Sequence, residues 1–280
     1  MMEKNAKYLD LENEYGSDAK MPEKLLCDGG YCGIFQRIAC VGDSLSSGEF
    51  ESLNDAGEKN YHDYYEYSWG QYLARMCGNT VYNFSRGGMT AKEYCESFAE
   101  QKGFWDAQYA AQAYIIALGV NDLYNNRAIV SGEEAIGTVE ETDPKNWKNN
   151  PKNFAGYYST IISRYQEIQP RAKFFLVTFP REELDSRHLE LAQAHRKLLY
   201  DFADRDPNIE VIDLWQYAPI YDSSFKDVFF MGGHMNPMGY IFTAKMVATC
   251  MDHLIRKNPL SYAEVAFIGK THRYYPPKND

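Results

Sequence analysis

Four short blocks of the chain hold residues able to do nucleophilic or acid–base chemistry: Gly42-Asp43-Ser44-Leu45, Asn83-Phe84-Ser85-Arg86-Gly87-Gly88, Gly119-Val120-Asn121-Asp122 and Gly233-His234-Met235-Asn236-Pro237. A serine on a tight strand-to-helix turn exposes its hydroxyl, and its amide N–H points outward at a helix N-terminus where the dipole favours an anion. Ser44 in such a place either attacks a substrate or caps the next helix. A glycine at 88 either lets a ligand approach the backbone closely or simply makes a turn. Asn121 can aim its side-chain NH2 at a developing oxyanion, or serve as a turn residue beside Asp122. His234 is one of six histidines, a side chain that titrates near neutrality and acts as a base as readily as it packs. What makes the four informative is their joint order along the chain.

The elements that must position them can be read from periodicity. Five continuous apolar runs, Arg37 to Val41, Thr80 to Phe84, Ala113 to Leu118, Lys173 to Thr178 and Ile209 to Leu214, have the character of strands covered on both faces. Helical patterns lie between them. The clearest has Phe154, Tyr157, Tyr158, Ile161, Ile162, Tyr165 and Ile168 on one stripe and stops before Pro170; others run over about 72–76, 91–101, 188–203 and 237–255. Strand alternating with helix predicts a parallel sheet with right-handed crossovers, whose ligands bind at the carboxyl ends of the strands. Each block sits just past a strand or at a helix start, so such a sheet gathers all four at one edge. One domain over 34–257 is expected, with an extension over 1–33, an irregular insertion at about 123–153 and a tail over 258–280. An irregular stretch as long as that insertion suits a lid or a wall.

With 280 residues the chain is long enough to bury one sizeable core, and 29 basic against 39 acidic residues leave a net charge of −10. That acidity disfavours nucleic acid and anionic membrane surfaces as partners. No stretch approaches the roughly 20 apolar residues of a membrane span, and the first twenty residues hold no apolar run of signal-peptide length, so a cytoplasmic location is expected. Six cysteines show no C-x-x-C pair and no histidine at zinc-site spacing, which favours free thiols over bridges, Cys27 and Cys32 included, and leaves no metal implied.

The order GDSL, Asn/Gly block, G-x-N-D and late histidine before a final helix resembles the GDSL or SGNH hydrolases, over roughly residues 36 to 256. The resemblance implies a flavodoxin-like three-layer αβα fold with a five-stranded parallel sheet, and a serine esterase or lipase that needs no cofactor. It makes Ser44 the nucleophile, His234 the base, and the Ser44 amide, the Gly88 amide and the Asn121 side chain the oxyanion donors, with Gly87 the alternative to Gly88. The family usually carries Asp three residues before the histidine. Here that place holds Met231. The imidazole is then oriented either by a distant carboxylate, with Asp227 nearest in sequence and Asp213 and Asp222 further options, or by a backbone carbonyl in a Ser-His dyad, the preferred reading.

The resemblance includes many carbohydrate deacetylases, and it implies as substrate a small ester, an acetylated saccharide above all. Trp147, Tyr124 and the asparagines of the insertion either wall the site or form a structural loop, and the Tyr64-Tyr65-Glu66-Tyr67 cluster with Trp69 either flanks the pocket or packs inside the body. The rival readings are a lysophospholipase or acyl-thioesterase with a long apolar tunnel, and a non-catalytic binding protein on a degenerate hydrolase scaffold.

Overall fold

A computed structural model describes residues 25–26, 28–124 and 136–268. Its centre is a five-stranded, all-parallel sheet built from β1 (Arg37–Gly42), β4 (Thr80–Ser85), β5 (Ala113–Ala117), β6 (Lys173–Val177) and β7 (Ile209–Ile212), in the spatial order β4-β1-β5-β6-β7. Between β1 and β4 lies an antiparallel hairpin, β2 (Glu49–Leu53) with β3 (Lys59–Asp63), and late in the chain a second, very short one, β8 (Phe230–Met231) with β9 (His234–Met235).

The period of two along each strand divides the interior into two cores. Ala39, Val41, Tyr114, Ile116, Phe174 and Leu176 face one side, where they pack with residues of the helix Phe154–Ile168 and of the helix Ser186–Arg205. Ile38, Cys40, Ala113, Ile115, Phe175 and Val177 face the other, against Trp69 and Leu73 of the helix Trp69–Cys77 and against the helix Pro237–Lys257. A sheet with both faces covered has no polar side, which is why all five strands read as continuous apolar runs. In chain order the helical pieces used below are α1 (Ser44–Ser47), α2 (Trp69–Cys77), α3 (Phe154–Ile168), α4 (Ser186–Arg205), α5 (Leu214–Tyr217), α6 (Ser223–Phe229) and α7 (Pro237–Lys257).

All five expected strands are present within two residues of their expected ends. The two hairpins and the helices α5 and α6 are additions that the periodicity did not announce, because each is too short to show a period. The chain winds from β1 outward to β4 and then returns to β5 on the other side of β1. The connections after β1 and β5 therefore diverge, and a crevice opens between them at the carboxyl ends of the strands, where parallel sheets bind ligands.

Residues 25–26 and 28–34 lie along α7: Leu26 N–H donates to Thr249 Oγ1 at 3.1 Å and Tyr31 N–H to Asp252 Oδ1 at 2.8 Å. Cys32, Cys40, Cys77, Cys95 and Cys250 are free thiols, while the expectation for Cys27 falls outside the described residues. Among the described residues no helix is long and apolar enough to cross a membrane.

Candidate active site

Ser44 begins α1 directly after β1. Gly42 is needed there because a Cβ would fall 2.2 Å from Ser46 Oγ and 3.0 Å from the Ala117 carbonyl. Asp43 caps the turn by accepting the Leu45 N–H at 3.1 Å, a contact of a kind that stabilises by about 1 kcal/mol. Burial pushes the Asp43 carboxyl up to about 7. The helix that was to supply a dipole is a single turn. Gly48 ends it at φ 84 and sends the chain straight into β2, so the local donor is the Ser44 amide itself rather than a summed macrodipole.

The second and third blocks are tied to one another. Asn83 bridges α1 and its own loop, donating to the Ser47 carbonyl at 3.2 Å and accepting from Ser85 N–H at 3.1 Å. The turn that follows closes with Met89 N–H on the Arg86 carbonyl, and Gly88 takes φ 71, the left-handed conformation that glycine adopts without strain. Asn121 lies in a π-helical turn over Val120–Tyr124, a distortion common at functional sites, and its Nδ2 donates to the Met89 carbonyl at 3.1 Å. Its neighbour Asp122 accepts Ala91 N–H with both carboxylate oxygens, at 3.0 and 3.1 Å. Burial lifts Asp122 to about 7, with a smaller push from Asp43.

His234 stands on β9, where it pairs across the hairpin with Met231. Its side chain is 16% exposed and faces two carboxylates of β2: Glu49 Oε1 lies 3.4 Å from Nε2, and Glu51 Oε2 lies 3.7 Å from Nδ1. The alternation of β2 places Glu49 and Glu51 on one face while Phe50, on the other, packs edge-on against Tyr64 and Tyr67. Glu51 is 6% exposed, pairs with Lys59 Nζ at 2.7 Å and accepts Gly233 N–H at 3.0 Å. The Lys59 ammonium is the main cause holding its carboxyl below the usual range. Tyr61, opposite Glu51 in the hairpin register, sets its ring edge-on to the imidazole at 5.7 Å.

Ser44, Gly87, Gly88, Asn121 and His234 all line one cavity of about 580 Å³, within the size range of small-ligand sites. The cavity also takes Glu49, Tyr61, Glu182 and Lys226. Beside it lies a smaller recess of about 70 Å³ walled by apolar residues such as Trp69, Val177, Leu214 and Val247, with Leu45, Val120, Phe179 and Tyr221 common to both.

Several expectations are corrected. Asp227 is exposed on α6, and among the described residues the carboxylates in ion-pair range of His234 are Glu49 and Glu51. Asp213 is occupied elsewhere, buried under a two-toothed Arg196 contact and the Tyr200 hydroxyl, and Asp222 caps α6 through Phe225 N–H. Among the described residues no backbone carbonyl holds His234 Nδ1 as a dyad would require; that atom is buried with no hydrogen-bond partner among them. Trp147 is on an outer face, bonded to Glu167 and stacked with Arg164 of α3, and Tyr124 packs on Phe179 and His188; neither lines the cavity. Of the insertion, residues 125–135 lie outside the described residues. Trp69 walls the apolar recess, whereas Tyr64 and Tyr67 pack around Phe50. The residues missed were Glu49, Glu51 and Tyr61. A signal for the first two existed in Glu49-Phe50-Glu51, the alternation of a half-buried strand immediately after the serine turn.

A three-layer αβα body with serine, glycine, asparagine and histidine around the crevice at its switch point has the architecture of the SGNH hydrolases. The description of the GDSL-like lipase/acylhydrolase family matches residues 40–241, and the chain belongs to that family: it is a carboxylic ester hydrolase. The fold is shared with solved structures at low identity. A family two carbohydrate esterase from Clostridium thermocellum, solved with cellohexaose, superposes with a TM-score of 0.54 at 16% identity over 79% of this chain and 64% of its own. Est24, a carbohydrate acetylesterase from Sinorhizobium meliloti, gives 0.51 at 16% over 78% and 99%, and a protein from Lactobacillus plantarum 0.54 at 13% over 79% and 96%. None of the curated proteins searched matches the chain.

Proposed function

We propose that this esterase removes short acyl groups, acetyl above all, from a carbohydrate or small-metabolite ester through an acyl-enzyme at Ser44. The observation that carries the reading is that Ser44, Gly88, Asn121 and His234, brought from four separate parts of the chain, line one cavity at the sheet's switch point. Ser44 Oγ gives its proton to His234 and attacks the ester carbonyl carbon. The tetrahedral oxyanion is held by the Ser44 and Gly88 amides and the Asn121 side chain. Collapse breaks the bond to the alcohol, which leaves with the proton from His234. A water, deprotonated by the same imidazole, then adds to the acyl carbon, and as the acyl–Oγ bond breaks His234 returns that proton to Oγ, which releases the acid and restores Ser44.

The walls of the cavity support this substrate class. The apolar recess is small beside the main cavity, about 70 against 580 Å³, which suits a short acyl group and leaves the larger, mixed polar and apolar space to the alcohol. Around that space stand Asp43, Glu49 and Glu182, and Lys226 is matched by Glu182 at 2.9 Å. With Glu182 balanced by Lys226 and the Asp43 carboxyl raised to about 7, Glu49 is the remaining carboxylate of this wall, and it favours neutral hydroxylated molecules over phosphates such as a lysophospholipid or a coenzyme A thioester. Two structures of the same fold are a carbohydrate esterase and a carbohydrate acetylesterase, so acetylated saccharides are the first substrates to try.

The test is twofold. A fluorophosphonate probe is expected to label the protein stoichiometrically and to fail on Ser44→Ala; absence of labelling on the intact protein indicates a binding protein instead. A series of p-nitrophenyl esters is expected to be turned over fastest at acetyl, and an optimum at eight or more carbons overturns the short-acyl assignment.

A further inference from the structure

We propose that Glu51 is the positioning carboxylate of this active site, orienting and charge-matching His234 from β2 in place of the acid that the family carries three residues before the histidine. The assignment rests on the reading of Ser44 and His234 as nucleophile and base.

The two nitrogens of the imidazole have different surroundings. A base that takes the serine proton on Nε2 needs an acceptor behind Nδ1, to hold the tautomer and to stabilise the imidazolium that forms. Among the described residues Nδ1 is the buried nitrogen without a hydrogen-bond partner, and Glu51 Oε2 is 3.7 Å from it. That distance is long for a hydrogen bond, as catalytic contacts often are before substrate arrives. Glu49 is the other carboxylate in range, but it approaches Nε2 and lines the cavity that Ser44 also lines. Glu51 thus has the place of an orienting acid and Glu49 does not.

The surroundings of Glu51 are built to keep it there and charged. Lys59 Nζ pairs with Oε1 at 2.7 Å, and Gly233 N–H donates to Oε2 at 3.0 Å. The short hairpin leaves room for it. Gly232 has φ 69, and a Cβ on that residue would fall 2.5 Å from Glu51 Oε1. The sequence Met231-Gly232-Gly233-His234 is therefore consistent with a carboxylate entering from outside: the two glycines clear a space that an in-line acid does not require. Met231, at the vacated position, is 45% exposed.

The experiment compares Glu51→Gln, Glu51→Asp, Glu49→Gln and Asp227→Asn by steady-state hydrolysis of p-nitrophenyl acetate and by the rate of fluorophosphonate labelling. Glu51→Gln keeps the size of the side chain and an acceptor for Gly233 N–H, and is expected to lower kcat by about 10²- to 10⁴-fold, the upper end being the loss seen when an orienting acid is neutralised, with KM changed less than about threefold. Glu51→Asp, which restores the charge, is expected to recover at least tenfold of that loss, a recovery that a purely structural role does not produce. Asp227→Asn is expected to match the parent protein. The assignment is overturned if Glu51→Gln retains kcat within threefold, if Asp and Gln at this position lose activity equally, or if the loss is confined to Glu49→Gln. Should Glu51→Gln fail to fold, the Asp variant alone decides: a kcat within about 30-fold of the parent with unchanged KM supports the assignment, and a larger loss overturns it. If the parent protein itself takes no label, the serine-hydrolase reading fails and this assignment with it; if it labels and Glu51→Gln labels equally fast, only this assignment fails.

Discussion

The Asn121 side chain donates to the Met89 carbonyl at 3.1 Å, so the loop after β5 is fastened to the loop after β4 at the point where both reach the cavity. The contact fixes the asparagine NH2 while Gly88 presents its backbone one residue before Met89. Under the proposed mechanism these are two of the three oxyanion donors, and they are held as one unit before substrate binds. Such preorganisation is what makes a donor effective, because no reorientation is needed as charge develops.

Replacing Asn121 by Ala is accordingly expected to lower kcat by about 10²- to 10³-fold with KM little changed. Steady-state kinetics on p-nitrophenyl acetate check this; a change in KM alone indicates that Asn121 binds substrate and does not stabilise the oxyanion.

Gly232→Ala is expected to cost stability and activity together. An alanine at φ 69 carries a strain of roughly 1–2 kcal/mol, and its Cβ would meet Glu51 Oε1 at 2.5 Å unless the carboxylate shifts. A small fall in melting temperature with a loss of kcat larger than that instability explains is the expected pair of results. Gly57→Ala makes the comparison: it also has positive φ, 79, but its Cβ would meet nothing within 4 Å. Its cost is expected in stability alone.

The buried carboxyl of Asp122 gives a pH signature. Its value rises from 3.8 in the unfolded chain to about 7 in the folded protein. Between these values the folded state holds a proton that the unfolded state has released, so the stability contributed by this group is full below about 3.8 and lost as pH rises through 7. Asp122→Asn, which stays neutral and still accepts Ala91 N–H, removes the dependence. The melting temperature of the variant relative to the parent is expected to climb from pH 4 to pH 7 and then level; a constant difference contradicts the raised value.

His195 acts in the opposite sense. It is fully buried, stacked face to face on Phe179 at 4.0 Å, and burial lowers it from 6.5 to about 3. From pH 6.5 down to 3 the unfolded chain takes up a proton that the folded protein refuses, so stability is lost on acidification across that window. His195→Leu is expected to gain on the parent protein as pH falls from 6.5, measured by thermal melting. Because the terms of Asp122 and His195 oppose each other between about pH 4 and 6.5, each is visible only as a difference between variant and parent.

The sheet was legible in the sequence because strands covered on both faces are mostly apolar, and five such runs stand out even with Asn83, Lys173 and Glu210 among them. The serine turn, the asparagine block and the late histidine were legible too, since each lies next to an element end that the pattern marks. Local order in the chain thus determined the fold and the residues that reach its switch point. It could not determine what stands behind His234. Glu51 reaches the imidazole only because Gly48 turns the chain out of α1 into a hairpin and because Gly232 and Gly233 let β8 and β9 close over it. Sequence proximity pointed to Asp227, yet a carboxylate acts through space, and the hairpin brings Glu51 closer than the six residues between Asp227 and His234 do. That choice belongs to tertiary structure, because a charge–imidazole contact depends on distance and burial, which neighbours in the chain do not set.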